Sequence, residues 1–154
     1  MYITEKSTGK EHKVKIELVS KDDLKSMTKS KFFFDWKTEN KEGVHKLIKH
    51  DDNQILGLMS FLNYQSDQRI EIKLLAVSKE NRGRNKKYDR IAGTLIGYCC
   101  KEAVKRYGIE GCVSLIPKTE LKEHYIIKYK MIDAGYQVFL EGESLLNILK
   151  NYKL

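Results

Sequence analysis

Five cations crowd the stretch Arg82-Gly83-Arg84-Asn85-Lys86-Lys87-Tyr88-Asp89-Arg90. An apolar stripe follows at mostly three- and four-residue steps, Tyr88, Ile91, Ala92, Leu95, Ile96, Cys99, Ala103 and Val104, which predicts a long helix. A helix N-terminus presents free backbone N–H groups and a partial positive charge, so it seats a phosphate or pyrophosphate. Gly83 and the small pair Ala92-Gly93 let the backbone approach such a group closely. Each charge-assisted hydrogen bond to phosphate contributes about 1.5–3 kcal/mol. Two or three of them would supply much of a micromolar affinity, about 8 kcal/mol. The same run also suits a solvated basic loop or a contact with nucleic acid. A single-strand binder, however, interleaves aromatics with its basic stripe, and within this run only Tyr88 does so.

Other reactive residue types narrow the chemistry. Cys99 and Cys100 are adjacent and Cys112 stands alone, which is neither a metal-ligand spacing nor an even disulfide set. Ordinary buried thiols and no metal are expected. Phe32, Phe33, Phe34 and Trp36 form an aromatic cluster around Asp35, and such clusters are usually core.

The elements that must position these residues follow from periodicity. Val14 to Val19 alternates as a strand, and Ser20 to Asp23 starts a short helix through Thr28 with a capping-box-like pattern. Val44 to His50, Ile55 to Tyr64 and Arg69 to Val77 are strands separated by short polar turns, hence an antiparallel meander. The long helix ends at Gly108, and Gly111 to Ile116 is a short buried strand. A crossover of this length places that strand parallel to the one ending at Val77. A helix over Thr119 to Met131, a strand over Tyr136 to Leu140 and a helix over Ser144 to Tyr152 complete the chain. The expected fold class is α/β of the α+β type, a mixed, mostly antiparallel sheet with a central parallel strand–helix–strand crossover.

With 154 residues the chain fits one domain, residues 1–154. Its 41% hydrophobic and 32% charged residues describe a soluble globular protein. No apolar run approaches the roughly 18–20 residues that span a bilayer. The polar start MYITEKSTGKEHK lacks a secretory apolar core, so a cytoplasmic location is expected. The net charge of +8, from 29 Lys and Arg against 21 Asp and Glu, favours polyanionic partners.

That element order resembles the GNAT superfamily of N-acetyltransferases. The strand Glu71-Ile72-Lys73-Leu74-Leu75-Ala76-Val77 is similar to the family's E-I-x-x-x-A-V strand, which leads into a Q/R-x-x-G-x-G/A loop and a long helix. Two six-residue windows compete for that loop. Arg82 to Lys87 has the leading arginine but Asn85 and Lys87 at the small positions; Lys87 to Ala92 has its small residue but Arg90 where glycine is expected. Gly111 to Leu115 resembles the fifth strand, and His124-Tyr125 the start of the F-Y-x-x-x-G-F helix. Counted from Tyr125, Tyr129 falls on the glycine; counted back from Gly135-Tyr136, Met131 falls on the tyrosine.

The resemblance implies acetyl-CoA as co-substrate and direct acetyl transfer to a primary amine. Arg82, Gly83, Arg84, Lys86, Lys87, Tyr88, Ala92 and Gly93 would hold its phosphates. The backbone at Leu75, Ala76 and Val77 would hold the acetyl carbonyl and pantetheine amides. An amine of pKa about 10.4 is about 99.9% protonated at pH 7, a handicap of about 4–5 kcal/mol, so a general base is wanted. Glu71 matches the strand position of the glutamate in some members, and Tyr125, with Tyr129 as substitute, the tyrosine that protonates the leaving thiolate. The alternatives are a solvent-facing strand carboxylate paired with a neighbouring lysine and a half-buried packing tyrosine. His124 is a surface or capping residue or a second proton carrier. The Phe32–Trp36 region lies where the family walls its acceptor pocket, and Asp35 there would meet a cationic acceptor. Lys118 and Thr119 would reach the thioester end, although a helix cap explains Thr119 as well. The expected partner is a small-molecule or peptide amine acceptor, with no membrane, in a monomer or homodimer. The rival reading is a basic nucleic-acid-binding or regulatory protein on a non-catalytic scaffold of this kind; an acceptor on RNA or a ribosomal protein would join the two.

Overall fold

The computed structural model describes residues 1–39 and 43–154. Its strands are β1 (Tyr2–Glu5), β2 (Glu11–Leu18), β3 (Val44–Lys49), β4 (Ile55–Tyr64), β5 (Arg69–Val77), β6 (Tyr88–Asp89), β7 (Cys112–Leu115), β8 (Ile132–Asp133) and β9 (Val138–Glu141). The helices are α1 (Lys29–Phe32), α2 (Ile91–Tyr107), α3 (Lys122–Tyr129) and α4 (Gly142–Tyr152). Among the described residues the strands follow the order β6-β1-β2-β3-β4-β5-β7-β9-β8. β5 and β7 run parallel, from Arg69↔Cys112 to Ile72↔Leu115, as the crossover length requires. β7 and β9 are antiparallel, as are β1–β2, β2–β3 and β3–β4. The mixed, mostly antiparallel sheet is therefore present.

Three local differences from the sequence reading have simple causes. β1 and β6 are too short to show alternation; β6 pairs with β1, Thr4↔Asp89 and Glu5↔Tyr88, and β1 pairs with β2 as well. The long helix starts at Ile91, because Tyr88 spends its apolar ring on β6 rather than on the first helical turn. After Ser20 the chain makes a 3₁₀ turn, Lys21–Ser26, in which the Asp23 carboxylate accepts from the Ser20 N–H at 2.6 Å and its hydroxyl at 2.9 Å. Thr119–Leu121 is likewise 3₁₀, and α3 stops at Tyr129.

The main chain clusters into two compact units, residues 1–60 with 74–95 and residues 61–73 with 96–154. The first unit packs Met27, Phe32, Trp36, Val44, Ile48, Ile55, Leu58 and Ala76 together, with Phe34 and Leu74 partly buried against them. Phe32 and Trp36 are thus core, and the Trp36 indole N–H donates to the Phe32 carbonyl at 3.1 Å. Burying an aliphatic or aromatic side chain of this size stabilises by about 1.5–3 kcal/mol. Within this unit Gly57 sets how closely α2 approaches the sheet. A Cβ there would lie 2.9 Å from Ile91 Cγ2 and Leu95 Cδ1, so glycine lets the first turns of α2 lie this close to β4 without displacing those side chains. In the second unit Ile96, Cys99, Cys100 and Ala103 of α2 are buried, as are Val113 and Leu115 of β7, Val138 and Leu140 of β9, and Leu145 and Ile148 of α4. No helix among the described residues is long and apolar enough to cross a membrane.

Candidate functional site

The site begins where a ladder stops. β5 pairs with β7 as far as Ile72↔Leu115, yet the strand continues to Val77. Ala76 is buried, and Leu75 and Val77 are half-buried. The Ser78 N–H returns to the Leu56 carbonyl at 2.9 Å, and a 3₁₀ turn, Lys79–Asn81, opens the loop. Asn81 is buried and fastens both ends of that loop. Its amide donates to Ser78 Oγ at 2.8 Å, and its carbonyl oxygen accepts the Tyr88 N–H at 2.9 Å. Asn81 was not among the expected site residues. Its place ahead of Gly83, in a run otherwise full of charge, was the available signal.

Between these fastenings the cations take different positions. Arg82 donates through Nε to the Val77 carbonyl at 2.9 Å and lies 3.2 Å from the centroid of the Phe33 ring. It therefore ties the end of β5 to α1. Gly83 turns with φ +72°. Arg84 is exposed, and among the described residues no hydrogen bond or ion pair engages it. Lys86 pairs with Asp89 at 2.7 Å. Lys87 is exposed, with its ammonium 5.3 Å from the Tyr88 ring centroid. Tyr88 itself is buried, its hydroxyl accepting from Lys49 at 3.3 Å. Lys49 is held charged, its pKa raised by the hydrogen bond to Asp52.

Arg90 forms the step into α2. Its φ of +79° is left-handed, a conformation that costs a residue with a Cβ about 1–2 kcal/mol. Its guanidinium lies 4.3 Å from the Tyr2 ring centroid, and its carbonyl accepts the Thr94 N–H at 2.9 Å. Ile91, Ala92 and Gly93 open the helix, where backbone N–H groups have no intrahelical acceptor. The Thr94 hydroxyl is fully buried with no hydrogen-bond partner among the described residues, which is costly unless a ligand supplies one.

The expected proton carriers lie in the second unit, on different elements. Glu71 on β5 is half-buried and ion-paired with Arg69 at 3.5 Å. Arg69 also donates to the buried Ser114 hydroxyl at 2.8 Å and stacks on Tyr64 at 4.4 Å. On α3, Tyr125 is half-buried and Tyr129 buried, with ring centroids 5.9 Å apart. His124 sits edge-on to both, at 5.9 and 6.0 Å. Asp35 is exposed in the first unit, beside the core tryptophan. Lys118 precedes the Thr119–Leu121 turn, whose cap has no side-chain hydrogen bond. Burial pushes the thiols of Cys99 and Cys100 well up and that of Cys112 up to about 11. Among the described residues no group of three or more His, Cys, Asp or Glu could hold a metal ion.

No family model matches the sequence, and no curated protein sequence matches it either. Solved structures do match. N-acetylglutamate synthase from Neisseria gonorrhoeae, complexed with coenzyme A and N-acetyl-glutamate, superposes with a TM-score of 0.61 at 12% identity over 86% of this chain. This chain spans only 36% of that one. PaiA N-acetyltransferase from Thermoplasma acidophilum, in complex with coenzyme A, gives 0.57 at 13% identity, covering 84% of this chain and 98% of that one. A GNAT-family acetyltransferase from Listeria monocytogenes gives 0.60 at 12%, covering 92% and 99%.

The chain has the GNAT fold.

The two competing windows differ in backbone conformation. A conserved glycine in a loop motif answers a need for positive φ or close approach. In Lys87 to Ala92 the fourth residue is Arg90, with φ +79°. In Arg82 to Lys87 the fourth is Asn85, which is not among the positive-φ residues. Of the two windows, only Lys87 to Ala92 has a left-handed residue in fourth place. α3 repeats the pattern. It ends on Lys130 in the left-handed region (φ 56°), followed by the buried Met131, as a G-F pair would be. Tyr125 and Tyr129 stand one helical turn apart ahead of that bend.

Proposed function

We propose that this chain is an acetyl-CoA-dependent N-acetyltransferase that passes the acetyl group directly to a primary amine. The observation that carries this reading is the first turn of α2: a left-handed residue 90, three leading N–H groups and an orphaned buried Thr94 hydroxyl, preceded in the chain by a loop with an exposed Arg84. A helix start of this kind with basic residues beside it suits a pyrophosphate. The residues present therefore fit coenzyme A. Arg84, Lys87 and the N–H groups of Ala92 and Gly93 would hold its phosphates. Arg82, Lys86, Gly83 and Tyr88 would shape the loop, since their own bonds hold the chain. Tyr88, the one aromatic of the basic run, is buried, so the loop offers no stacking platform to a nucleic-acid strand.

Acetyl-CoA, when bound, supplies a thioester whose carbonyl carbon an amine can attack. The chain's own residues would do the rest. Leu75, Ala76 and Val77 would offer backbone groups to the acetyl carbonyl and pantetheine, on the part of β5 that outruns its β7 ladder. Glu71 would take the proton from the ammonium, its carboxylate steadied by Arg69. Tyr125 would return a proton to the departing sulfur, with Tyr129 one turn on. Coenzyme A and N-acetyl-glutamate in a structural neighbour, and coenzyme A in another, support the class of chemistry.

The test is binding followed by turnover. Acetyl-CoA at about a hundred times its Kd should stabilise the fold by about 2.7 kcal/mol, visible as a thermal shift. A screen of polyamines, amino acids, aminoglycosides and basic peptides, read as coenzyme A thiol released, should then find the acceptor. No shift at millimolar acetyl-CoA would overturn the reading.

A further inference from the structure

We infer that the N-terminal strand β1 is a working part of the phosphate site, with Tyr2 clamping Arg90 in the left-handed bend that aims the first turn of α2. The functional consequence rests on the acetyl-CoA reading above; the clamp itself does not.

Glycine adopts a φ of +79° freely, whereas arginine holds it only where its surroundings over-determine it. Those surroundings come from β1. Glu5 and Thr4 pair with Tyr88 and Asp89, the two residues before the bend. The Lys6 N–H donates to the Lys87 carbonyl at 2.8 Å, extending the ladder one step further. Tyr88 is then locked from the other side, by Lys49 on its hydroxyl and by the edge of the His12 ring at 5.4 Å. At the bend the Arg90 N–H turns to Asp89 Oδ1 at 2.8 Å, and its guanidinium spreads over the Tyr2 ring. Beyond it, the Thr94 N–H closes the first helical turn on the Arg90 carbonyl.

The bend is thus fixed between two anchored ends, and the side chain that makes the bend costly is also the handle by which it is held. Glycine could make the same turn but could not be gripped. Tyr2 and Arg90 are positioning residues here, acting through the backbone N–H groups of Ile91, Ala92 and Gly93. Loosening β1 should let those groups splay while leaving the rest of the sheet intact.

Two readouts test this: amide hydrogen exchange at Thr94 and Lys6 without ligand, and coenzyme A affinity by calorimetry. Tyr2→Leu, which keeps apolar bulk and loses the π face, should speed exchange at Thr94 and weaken coenzyme A about five- to tenfold. Tyr2→Phe should restore both. In an Arg90→Gly background, where the bend needs no clamp, Tyr2→Leu should change either readout less than about twofold. Equal effects of Tyr2→Leu in the two backgrounds would overturn the clamp, as would unchanged Thr94 exchange in Tyr2→Leu. Should the unmodified protein fail to bind coenzyme A, the acetyltransferase reading falls, and Thr94 exchange alone decides whether the clamp exists.

Discussion

Between Ser78 and Leu95 several side chains of the first unit also hold backbone, whereas around Glu71 and α3 those of the second unit mainly meet one another. Arg82 reaches a carbonyl, Asn81 receives an N–H, and Arg90 bends the main chain ahead of a helix. By contrast Arg69 engages Glu71, Ser114 and Tyr64, and His124, Tyr125 and Tyr129 form a cluster of rings. An anion site made of N–H groups depends on backbone shape, so different side chains can serve it. A proton-transfer site depends on which atom stands where. On the proposed function, the loop before α2 could therefore hold phosphate with arginine at its bend, while Glu71 and the α3 tyrosines have to be tested residue by residue.

The sharpest way to break the contrast is Glu71→Gln, which keeps shape and removes charge. General-base assistance is worth roughly 10²–10⁴-fold, so kcat/KM at neutral pH should fall at least about a hundredfold. The loss should shrink as pH rises and the amine deprotonates unaided. A wild-type rate and pH profile would make the Arg69–Glu71 pair purely structural and pass the role to His124 or water.

Tyr125→Phe should lower kcat about tenfold or more with little change in acetyl-CoA affinity, since the hydroxyl is wanted only as the thiolate forms. Unchanged kcat, measured where chemistry limits the rate, would move the test to Tyr129. At the other end, reversing charge at Arg84 and Lys87 together should weaken coenzyme A about tenfold, the loss of one good phosphate contact, and leave kcat at saturation alone. A fall in saturated kcat would show that the two ends are not separable.

The smallest expected effect is the most diagnostic of backbone binding. Thr94→Val removes a buried hydroxyl that lacks a partner, so the ligand-free protein should keep or slightly raise its Tm. Coenzyme A affinity should drop by about 0.5–1.5 kcal/mol, the net worth of one hydrogen bond. Calorimetry on the same variant checks both; a lower Tm with unaltered affinity would assign the hydroxyl to the fold.

Much of this was legible in the sequence because period and length carry it. The meander, the long helix and the parallel crossover each announced themselves by spacing, and Gly108 does end α2, at φ +63°. Short elements did not. β6 has two residues and β1 four, too few to alternate, and their pairing joins parts of the chain more than eighty positions apart. For the same reason Tyr88 read as the first member of a helical stripe. The left-handed bend before α2 was hidden because residue type usually announces such an angle through glycine, and here arginine takes it. Glu71 stood out through its place in the strand motif, but its pairing with Arg69 depends on rotamers that no spacing reveals.

The three cysteines offer a last, practical consequence. All belong to the second unit, and burial keeps their thiols protonated far above neutral pH. Only the thiolate attacks a disulfide or maleimide reagent, so the intact protein should stay nearly silent in the colorimetric reaction that counts released coenzyme A. Unfolding would uncover Cys99, Cys100 and Cys112 at once. The slow labelling of these positions therefore doubles as a clock for the opening of α2 and β7, and allows storage without a reducing agent that would consume the same dye.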